Sequence, residues 1–328
     1  EAFRDAGFAI NEELIREYTA FQPKRLDAQD RSDDKATCLV EPDRSFYDKS
    51  GEGGNTLLEN AKEFSDVAVV TFTRYGGEQM EIPSFQNKFG KDRDTTRTYL
   101  EISTEEEALL SMVCKEFDKV VLLLNTCNPM QLDFVDDYNI NAVLYVGNPG
   151  QSGTRAIVDV LTGAVNPSGK TTDTYAVDHT VDPSYANRRK SGDDITYVEG
   201  IYVGYKWYET AFADKLELTV GDKRLDFSTE EGYRDIVVYP FGYGLTYSDF
   251  EWTVDDIGFY SREGDRFDIA SGGTLESKYT TVKVDVAVTN VTDTPGKDVV
   301  ELYYTPPYTK GGIEKSAMNL VAFEKTEV

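Results

Sequence analysis

Three short apolar runs rich in β-branched residues constrain the fold of this chain more than any other feature. They cover Val67–Arg74, residues 120–125 and residues 142–146. Each run predicts a strand that is buried on both faces, as in a parallel sheet. Helical segments separate the runs, so the order predicts an α/β fold with a mostly parallel sheet sandwiched by helices.

Two helices of this fold have recognisable boundaries. Residues 104–117 follow Ser103, which forms a capping box with Glu106, and their apolar positions recur at helical spacing. A second helix is predicted over residues 151–161, ending before Gly163. Residues 1–8 resemble the rear half of a helix closed by a glycine, so we expect the natural chain to begin earlier.

The pattern changes toward the end of the chain. Residues 166–250 are rich in aromatics and short turns, which predicts an ordered apron on the first domain. Residues 282–289 then alternate strictly, a second strand is predicted over Val299–Tyr304 after a Pro-Gly turn, and residues 320–323 are strand-like. We therefore expect an α/β domain over residues 1–250 and a β-sandwich, which could lack strands, over residues 251–328.

Composition limits the partners and the environment. With 34 basic and 59 acidic residues the net charge is -25, which disfavours nucleic acid and membrane surfaces but suits a neutral substrate such as a sugar.

One histidine and three cysteines at unrelated spacings predict reduced, buried thiols, no metal site and no cofactor. A calcium site made of carboxylates alone stays open. Reduced cysteines and the lack of a signal-peptide pattern favour the cytoplasm. Homo-oligomer formation is left open.

Five segments of the chain resemble glycoside hydrolase family 3 in the part that follows its barrel, and they occur in that family's order. They are RYGGE at 74–78, NPSGK at 166–170, EGIYVGYKWYET at 199–210, YPFGYGLTYSDF at 239–250 and GGIEKSAMNLVAFEK at 311–325. The resemblance implies an α/β sandwich domain followed by a fibronectin type III-like β-sandwich. It also implies a β-glucosidase-like retaining glycosidase that acts on terminal β-linked sugars.

The resemblance further implies a division of the active site between domains. A retaining glycosidase needs two carboxyl groups about 5–5.5 Å apart, one as nucleophile and one as acid/base. In the family a TIM-type barrel supplies the nucleophile, and no barrel is present in this sequence. We therefore expect the missing barrel domain to be a partner of this segment, and the isolated chain to be inactive.

The same resemblance places the acid/base carboxylate at Glu78, behind two glycines that follow the first strand. Ligands of open α/β sheets gather beyond the carboxyl ends of strands, which suits this position. Glu81 is the alternative, because a shift of the loop could exchange the two side chains. Arg74 and Lys88 are expected to be structural or to contact the sugar, since adjacent cations would lower the pKa of the acid.

The chain also carries a pattern that is typical of a different class of enzyme. Residues 147–154 resemble the nucleophile elbow of serine hydrolases around Ser152, but Thr154 stands where the elbow needs glycine. Its triad would also need His179, which is expected in a surface loop.

The aromatic cluster at 197–208 is interpreted as packing and not as a sugar platform. Residues 27–55 are expected to form a mobile loop or a solvated insertion. A non-catalytic carbohydrate-binding or assembly module of the same fold remains the alternative function.

Overall fold

The architecture follows from a computed structural model that describes residues 2–21, 41–74, 76, 82–87, 93–187, 194–269, 279–309 and 311–328. The α-helices of these ranges are α1 Ala2–Asp5, α2 Glu12–Phe21, α3 Leu57–Phe64, α4 Thr104–Glu116, α5 Gly150–Leu161, α6 Tyr205–Ala213 and α7 Glu230–Arg234. Their strands are β1 Val67–Arg74, β2 Phe85–Asn87, β3 Arg93–Thr98, β4 Lys119–Thr126, β5 Ala142–Tyr145, β6 Tyr175–Ala176, β7 Glu217–Val220, β8 Lys223–Asp226, β9 Val237–Tyr239, β10 Phe250–Tyr260, β11 Arg266–Phe267, β12 Thr281–Asn290, β13 Val299–Tyr304 and β14 Asn319–Lys325.

The three apolar runs form one parallel sheet in the order β1-β4-β5. β1 and β4 pair in register from Val67 with Lys119 to Arg74 with Thr126, and β5 pairs with the other side of β4. The predicted strands are therefore confirmed to within two residues at each end. The predicted burial on both faces holds for β4, where Leu122 has no exposed surface. It was wrong for β1, whose Val67 and Val69 are 41% and 44% exposed, and for β5, whose Tyr145 is 42% exposed.

The predicted helix boundaries are also confirmed. Ser103 caps α4, and Glu106 completes the capping box by accepting a hydrogen bond from the Ser103 amide. α5 ends at Leu161, and Gly163 adopts a positive φ of 75° just beyond it. At the start of the chain, Phe8 N–H donates to the Phe3 carbonyl across Gly7, which closes the short α1 helix as expected.

The last part of the chain consists of antiparallel strands in two sheets. β10 lies between β11 and β12, and β13 pairs with β14. The Pro-Gly turn after β12 therefore connects strands of two different sheets, as in a β-sandwich. The fold is an α/β domain followed by β-sandwich-like strands, in agreement with the fold class predicted from the sequence.

Asn166 ties the α/β region to these strands. Its Nδ2 donates to Ser248 Oγ at 2.8 Å and to the Pro295 carbonyl at 3.1 Å. Its Oδ1 accepts from Thr246 Oγ1 at 3.0 Å and from the Tyr247 amide at 2.9 Å. One amide side chain of the NPSGK motif thus joins three segments, and we call this contact the seam.

A second contact joins α6 to the segment that leads into β14. Thr210 Oγ1 accepts from the Ala317 amide at 2.9 Å, and Tyr205 Oη accepts from the Leu320 amide at 3.1 Å. The packing role predicted for the aromatic cluster holds for Tyr205 and for Tyr208, which is 3% exposed. It does not hold for Tyr197, whose exposed fraction is 74%.

The expectation of a mobile or solvated segment over residues 27–55 was wrong for Phe46 and Tyr47, although residues 43–45, 48–50 and 52–54 are exposed to solvent. Phe46 and Tyr47 are 2% and 5% exposed and belong to the core that also contains Phe72 and Leu122. Two adjacent aromatic rings offer enough apolar area to outweigh the polar character of their neighbours. Residues 27–40 lie outside the described ranges.

Candidate functional site

The carboxyl ends of the parallel strands form one edge of the molecule. Arg74 at the end of β1 lies level with Thr126 at the end of β4, and β5 ends at Tyr145. The segments that follow these strands therefore leave the sheet at the same edge, where α/β proteins bind their ligands. The residue predicted to be the acid/base carboxylate follows the first of these strands.

Glu78, Glu81 and Lys88 lie outside the described residues, so the roles predicted for them stay predictions. Gly76, two positions before Glu78, is described and half-buried. Its carbonyl accepts a hydrogen bond from Cys127 Sγ at 3.3 Å, just after β4. The segment that carries both glutamates thus begins at the carboxyl edge of the sheet, as the sequence interpretation requires.

Arg74 is buried beneath this edge with an exposed fraction of 4%. Its Nη1 and Nη2 each donate to the Glu106 carboxylate at 2.7 Å, its Nε donates to the Tyr99 carbonyl at 2.7 Å, and its Nη2 also reaches the Glu101 carbonyl at 2.6 Å. Burial acts to lower the pKa of Arg74, but the Glu106 carboxylate outweighs this effect and the net shift is upward. These contacts support a structural role for Arg74 over contact with the sugar.

Gln86, which sequence reasoning did not single out, is fixed on the same two carbonyl groups. Its Nε2 donates to the Tyr99 carbonyl at 2.9 Å and to the Glu101 carbonyl, and the side chain is 5% exposed. Arg74 and Gln86 flank residues 75–85, so both ends of this segment are held at one place in the fold. No sequence signal distinguished Gln86, because its burial depends on how the distant segments pack around it.

Further titratable groups gather near this edge. Burial raises the pKa of Asp173, of Tyr175 and of Tyr145 above their ordinary values. The rings of Tyr145 and Tyr175 meet edge to face with centroids 6.2 Å apart. Asp173 Oδ1 accepts from the Thr174 amide at 3.0 Å. Burial thus disfavours the charged forms of all three groups.

The serine hydrolase alternative gains no support from the geometry. Ser152 is exposed on the first turn of α5. His179 was expected in a surface loop, but it is half-buried in a short 3-10 helix, His179–Val181. Its Nδ1 lies 2.9 Å from Gln131 Oε1, and its ring packs edge to face against Tyr185. Its contacts with Gln131 and Tyr185 therefore account for the position of the histidine ring.

The placement of the cysteines differs from the expectation at one position. In the ranges that the structure describes, no group of three or more His, Cys, Asp or Glu side chains is placed to hold a metal ion. Cys114 is half-buried, but Cys127 is exposed, so the expectation of buried thiols was wrong for Cys127. Cys38 lies outside the described residues. No helix in the described part of the chain is long and apolar enough to cross a membrane.

Comparison with known proteins relates this architecture to one group of enzymes. The chain is 33% identical over 274 residues to a β-glucosidase of Ruminococcus albus, an alignment that covers 84% of this chain and 23% of that protein. It is 29% identical over 272 residues to thermostable β-glucosidase B of Acetivibrio thermocellus, covering 82% of this chain and 29% of that protein. The chain therefore spans less than a third of the length of either relative.

Solved structures give the same relationship. A β-glucosidase from Paenibacillus barengoltzii has 32% identity and a TM-score of 0.60, over 83% of this chain and 25% of that one. β-Glucosidase 3B from Thermotoga neapolitana in complex with glucose has 26% identity and a TM-score of 0.64, over 100% of this chain and 38% of that one. Residues 22–205 match the profile of the glycosyl hydrolase family 3 C-terminal domain. The chain therefore belongs to glycosyl hydrolase family 3 and represents the C-terminal portion of its members, without the barrel.

Proposed function

We propose that this chain contributes the acid/base carboxyl of a retaining β-glycosidase of the β-glucosidase type, and that Glu78 is that carboxyl. The observation that supports it best is the attachment of residues 75–85 at the carboxyl edge of the sheet. Arg74 and Gln86 hold the two ends of this segment on the carbonyl groups of Tyr99 and Glu101. A segment fixed in this way can present a carboxyl to a neighbouring domain with a defined geometry.

In this proposal Glu78 acts twice in each catalytic cycle. In the first step its carboxylic acid donates a proton to the glycosidic oxygen while a carboxylate outside this chain attacks the anomeric carbon and the leaving group departs. In the second step the Glu78 carboxylate takes a proton from water, which attacks the anomeric carbon and releases the nucleophile. Glu78 is then protonated again, as at the start of the cycle.

The charges near this segment are compatible with an acid that keeps its proton. Arg74 would lower the pKa of a nearby carboxyl if its charge were free, but the Glu106 carboxylate holds it at 2.7 Å. The net charge of -25 also disfavours the ionisation of a further carboxyl.

Glu81 is the alternative carboxyl and Lys88 the proposed sugar contact. We place the boundary between the two domains at residues 250 and 251, where β10 begins.

The proposed substrate is a terminal β-linked glucoside. Relatives named β-glucosidase include the proteins of Ruminococcus albus and Butyrivibrio fibrisolvens. A protein of Bifidobacterium longum, 28% identical over 244 residues, is named exo-α-(1->6)-L-arabinopyranosidase. A substrate panel should therefore include an α-L-arabinopyranoside beside β-glucosides.

The activity is tested with the product of the complete open reading frame, purified beside the 328-residue chain. We expect the complete product to hydrolyse an aryl β-glucoside and a β-linked disaccharide, and the 328-residue chain alone to hydrolyse neither. Absence of turnover on every glycoside, together with saturable sugar binding measured by calorimetry, would contradict the proposal. That outcome would favour the non-catalytic carbohydrate-binding module.

A further inference from the structure

The segment that follows β4 contacts the start of the segment that carries Glu78. Cys127 Sγ donates to the Gly76 carbonyl at 3.3 Å, across 51 positions of sequence. Asn128 Oδ1 lies 3.7 Å from the same sulfur. The contact therefore joins the carboxyl ends of two neighbouring parallel strands at the edge where substrates of α/β proteins gather.

The turn that carries Cys127 and Asn128 is held by hydrogen bonds to Thr126. Thr126, the last residue of β4, has no exposed surface. Its Oγ1 donates to the Asn128 carbonyl at 2.9 Å and accepts from the Asn128 amide at 3.0 Å. These bonds close a tight turn around Cys127. The turn is thus fixed to the sheet.

The Asn128 side chain occupies the space that a side chain at Gly76 would enter. A Cβ built on Gly76 would come within 3.0 Å of Asn128 Oδ1, closer than real Cβ atoms approach other heavy atoms. The Asn128 side chain thus lies against the backbone of Gly76. The Cys127 thiol hydrogen-bonds to the Gly76 carbonyl beside it. The two residues together fix the position of the backbone two residues before Glu78.

We propose that Cys127 and Asn128 are positioning residues for the acid/base carboxyl, acting through Gly76. This inference rests on the proposed role of Glu78. Neither residue needs to touch the sugar. An error of about 1 Å in the position of a general acid weakens proton donation strongly, while the nucleophile and the binding of the sugar are unaffected. Loss of either residue should therefore affect substrates that need protonation of the leaving group more than substrates that do not.

The test compares Cys127→Ala with Cys127→Ser in the product of the complete open reading frame. Serine keeps a hydrogen-bond donor at the site and alanine does not. We expect Cys127→Ala to lower kcat/KM on a β-linked disaccharide by about 5- to 20-fold and on a dinitrophenyl glycoside by less than about 2-fold. Cys127→Ser should stay within about 3-fold of wild type on both. On the disaccharide the loss should appear in kcat with KM little changed, because departure of the leaving group limits turnover and sugar binding is not altered.

A second pair of variants tests the contact between Asn128 and Gly76. Gly76→Ala should lower disaccharide turnover by at least about 10-fold, since the new methyl group displaces the segment. Adding Asn128→Ala should restore part of this loss, because it removes the oxygen that the methyl group meets. Melting temperatures of the Cys127 variants should stay within about 2 °C of wild type, as expected for an exposed side chain.

The outcomes separate this inference from the proposed function. If Glu78→Gln shows no selective loss on the disaccharide, the role of Glu78 fails and the positioning role fails with it. If Glu78→Gln shows that loss but Cys127→Ala and Cys127→Ser behave alike, only the positioning role is overturned. Equal losses on both substrates in Cys127→Ala would show a general structural effect and would also overturn it.

Discussion

The guanidinium of Arg74 and the carboxylate of Glu106 are joined by two hydrogen bonds of 2.7 Å each, with side chains only 3% and 9% exposed. Arg74 closes the first strand of the parallel sheet, and Glu106 belongs to the capping box of α4. One buried pair thus joins the start of a helix to the end of the strand that precedes the candidate acid/base residue.

Removing one partner of this pair should be costly. We expect Glu106→Gln to lower the free energy of unfolding by about 3–5 kcal/mol, because it leaves the Arg74 charge buried without a counter-charge. Glu107→Gln is a matched control, since this neighbour on the same helix is 43% exposed and pairs with Arg97 at the surface. The control should lose less than about 1 kcal/mol. Urea denaturation measures both values, and equal losses would contradict the assignment.

Glu41 should make stability depend on pH. Burial raises its pKa to about 7, although hydrogen bonds from Tyr47 and Tyr18 act in the opposite direction. Because the folded-state pKa lies above the unfolded value of 4.5, the protonated form stabilises the fold. This stability is fully present below about pH 4.5 and is lost as the pH rises through about 7.

The measurement for Glu41 is urea denaturation between pH 5 and 8 of wild type and Glu41→Gln. Relative to the variant, wild type should lose about 1–3 kcal/mol across this range. Glu52→Gln serves as the control, because that side chain is 72% exposed and should leave the pH dependence of wild type unchanged. A difference between wild type and Glu41→Gln that is constant with pH would refute the prediction.

Asn166 should hold the seam between the α/β region and the β-sandwich-like strands. Asn166→Ala removes two donated and two accepted hydrogen bonds, so we expect a loss of about 2–3 kcal/mol. Asn166→Asp keeps the acceptor that faces the Tyr247 amide and should lose about half as much.

Asn55→Ala provides the comparison for the seam, because the bond from its side chain to Glu63 is 3.5 Å long. Its loss should stay below about 0.5 kcal/mol. Thermal unfolding followed by two probes, tryptophan fluorescence and circular dichroism, would also show whether the two parts still unfold together. If Asn166→Ala is as stable as Asn55→Ala, the seam does not depend on Asn166.

Sequence patterns predicted the regular elements well because these depend on local spacing. The runs of β-branched residues located the sheet strands, and Ser103 with Glu106 located the start of α4. Contacts between distant segments were not predictable in this way. Nothing local to Arg74 indicates that Glu106, 32 positions away, neutralises it, or that Gln86 shares its carbonyl partners.

The candidate site was predictable only through resemblance. A glutamate behind two glycines has no local property that separates a catalyst from a solvated side chain. The exposure of Cys127 and the burial of Phe46 and Tyr47 were missed, because both depend on which segments pack nearby. What the structure adds is the support around residues 75–85, formed by side chains from β1, β2 and the turn after β4.

The most direct test of the account is the kinetic effect of Glu78→Gln in the product of the complete open reading frame, with Glu81→Gln as the matched comparison. Glu78→Gln should lower kcat/KM on a β-linked disaccharide by about 10²–10⁴-fold and on a dinitrophenyl glycoside far less, because kcat/KM reports departure of the leaving group and dinitrophenolate needs little protonation. Azide should accelerate turnover of the aryl substrate by the variant, whereas Glu81→Gln should resemble wild type. Equal turnover of both substrates by wild type and Glu78→Gln would contradict the account.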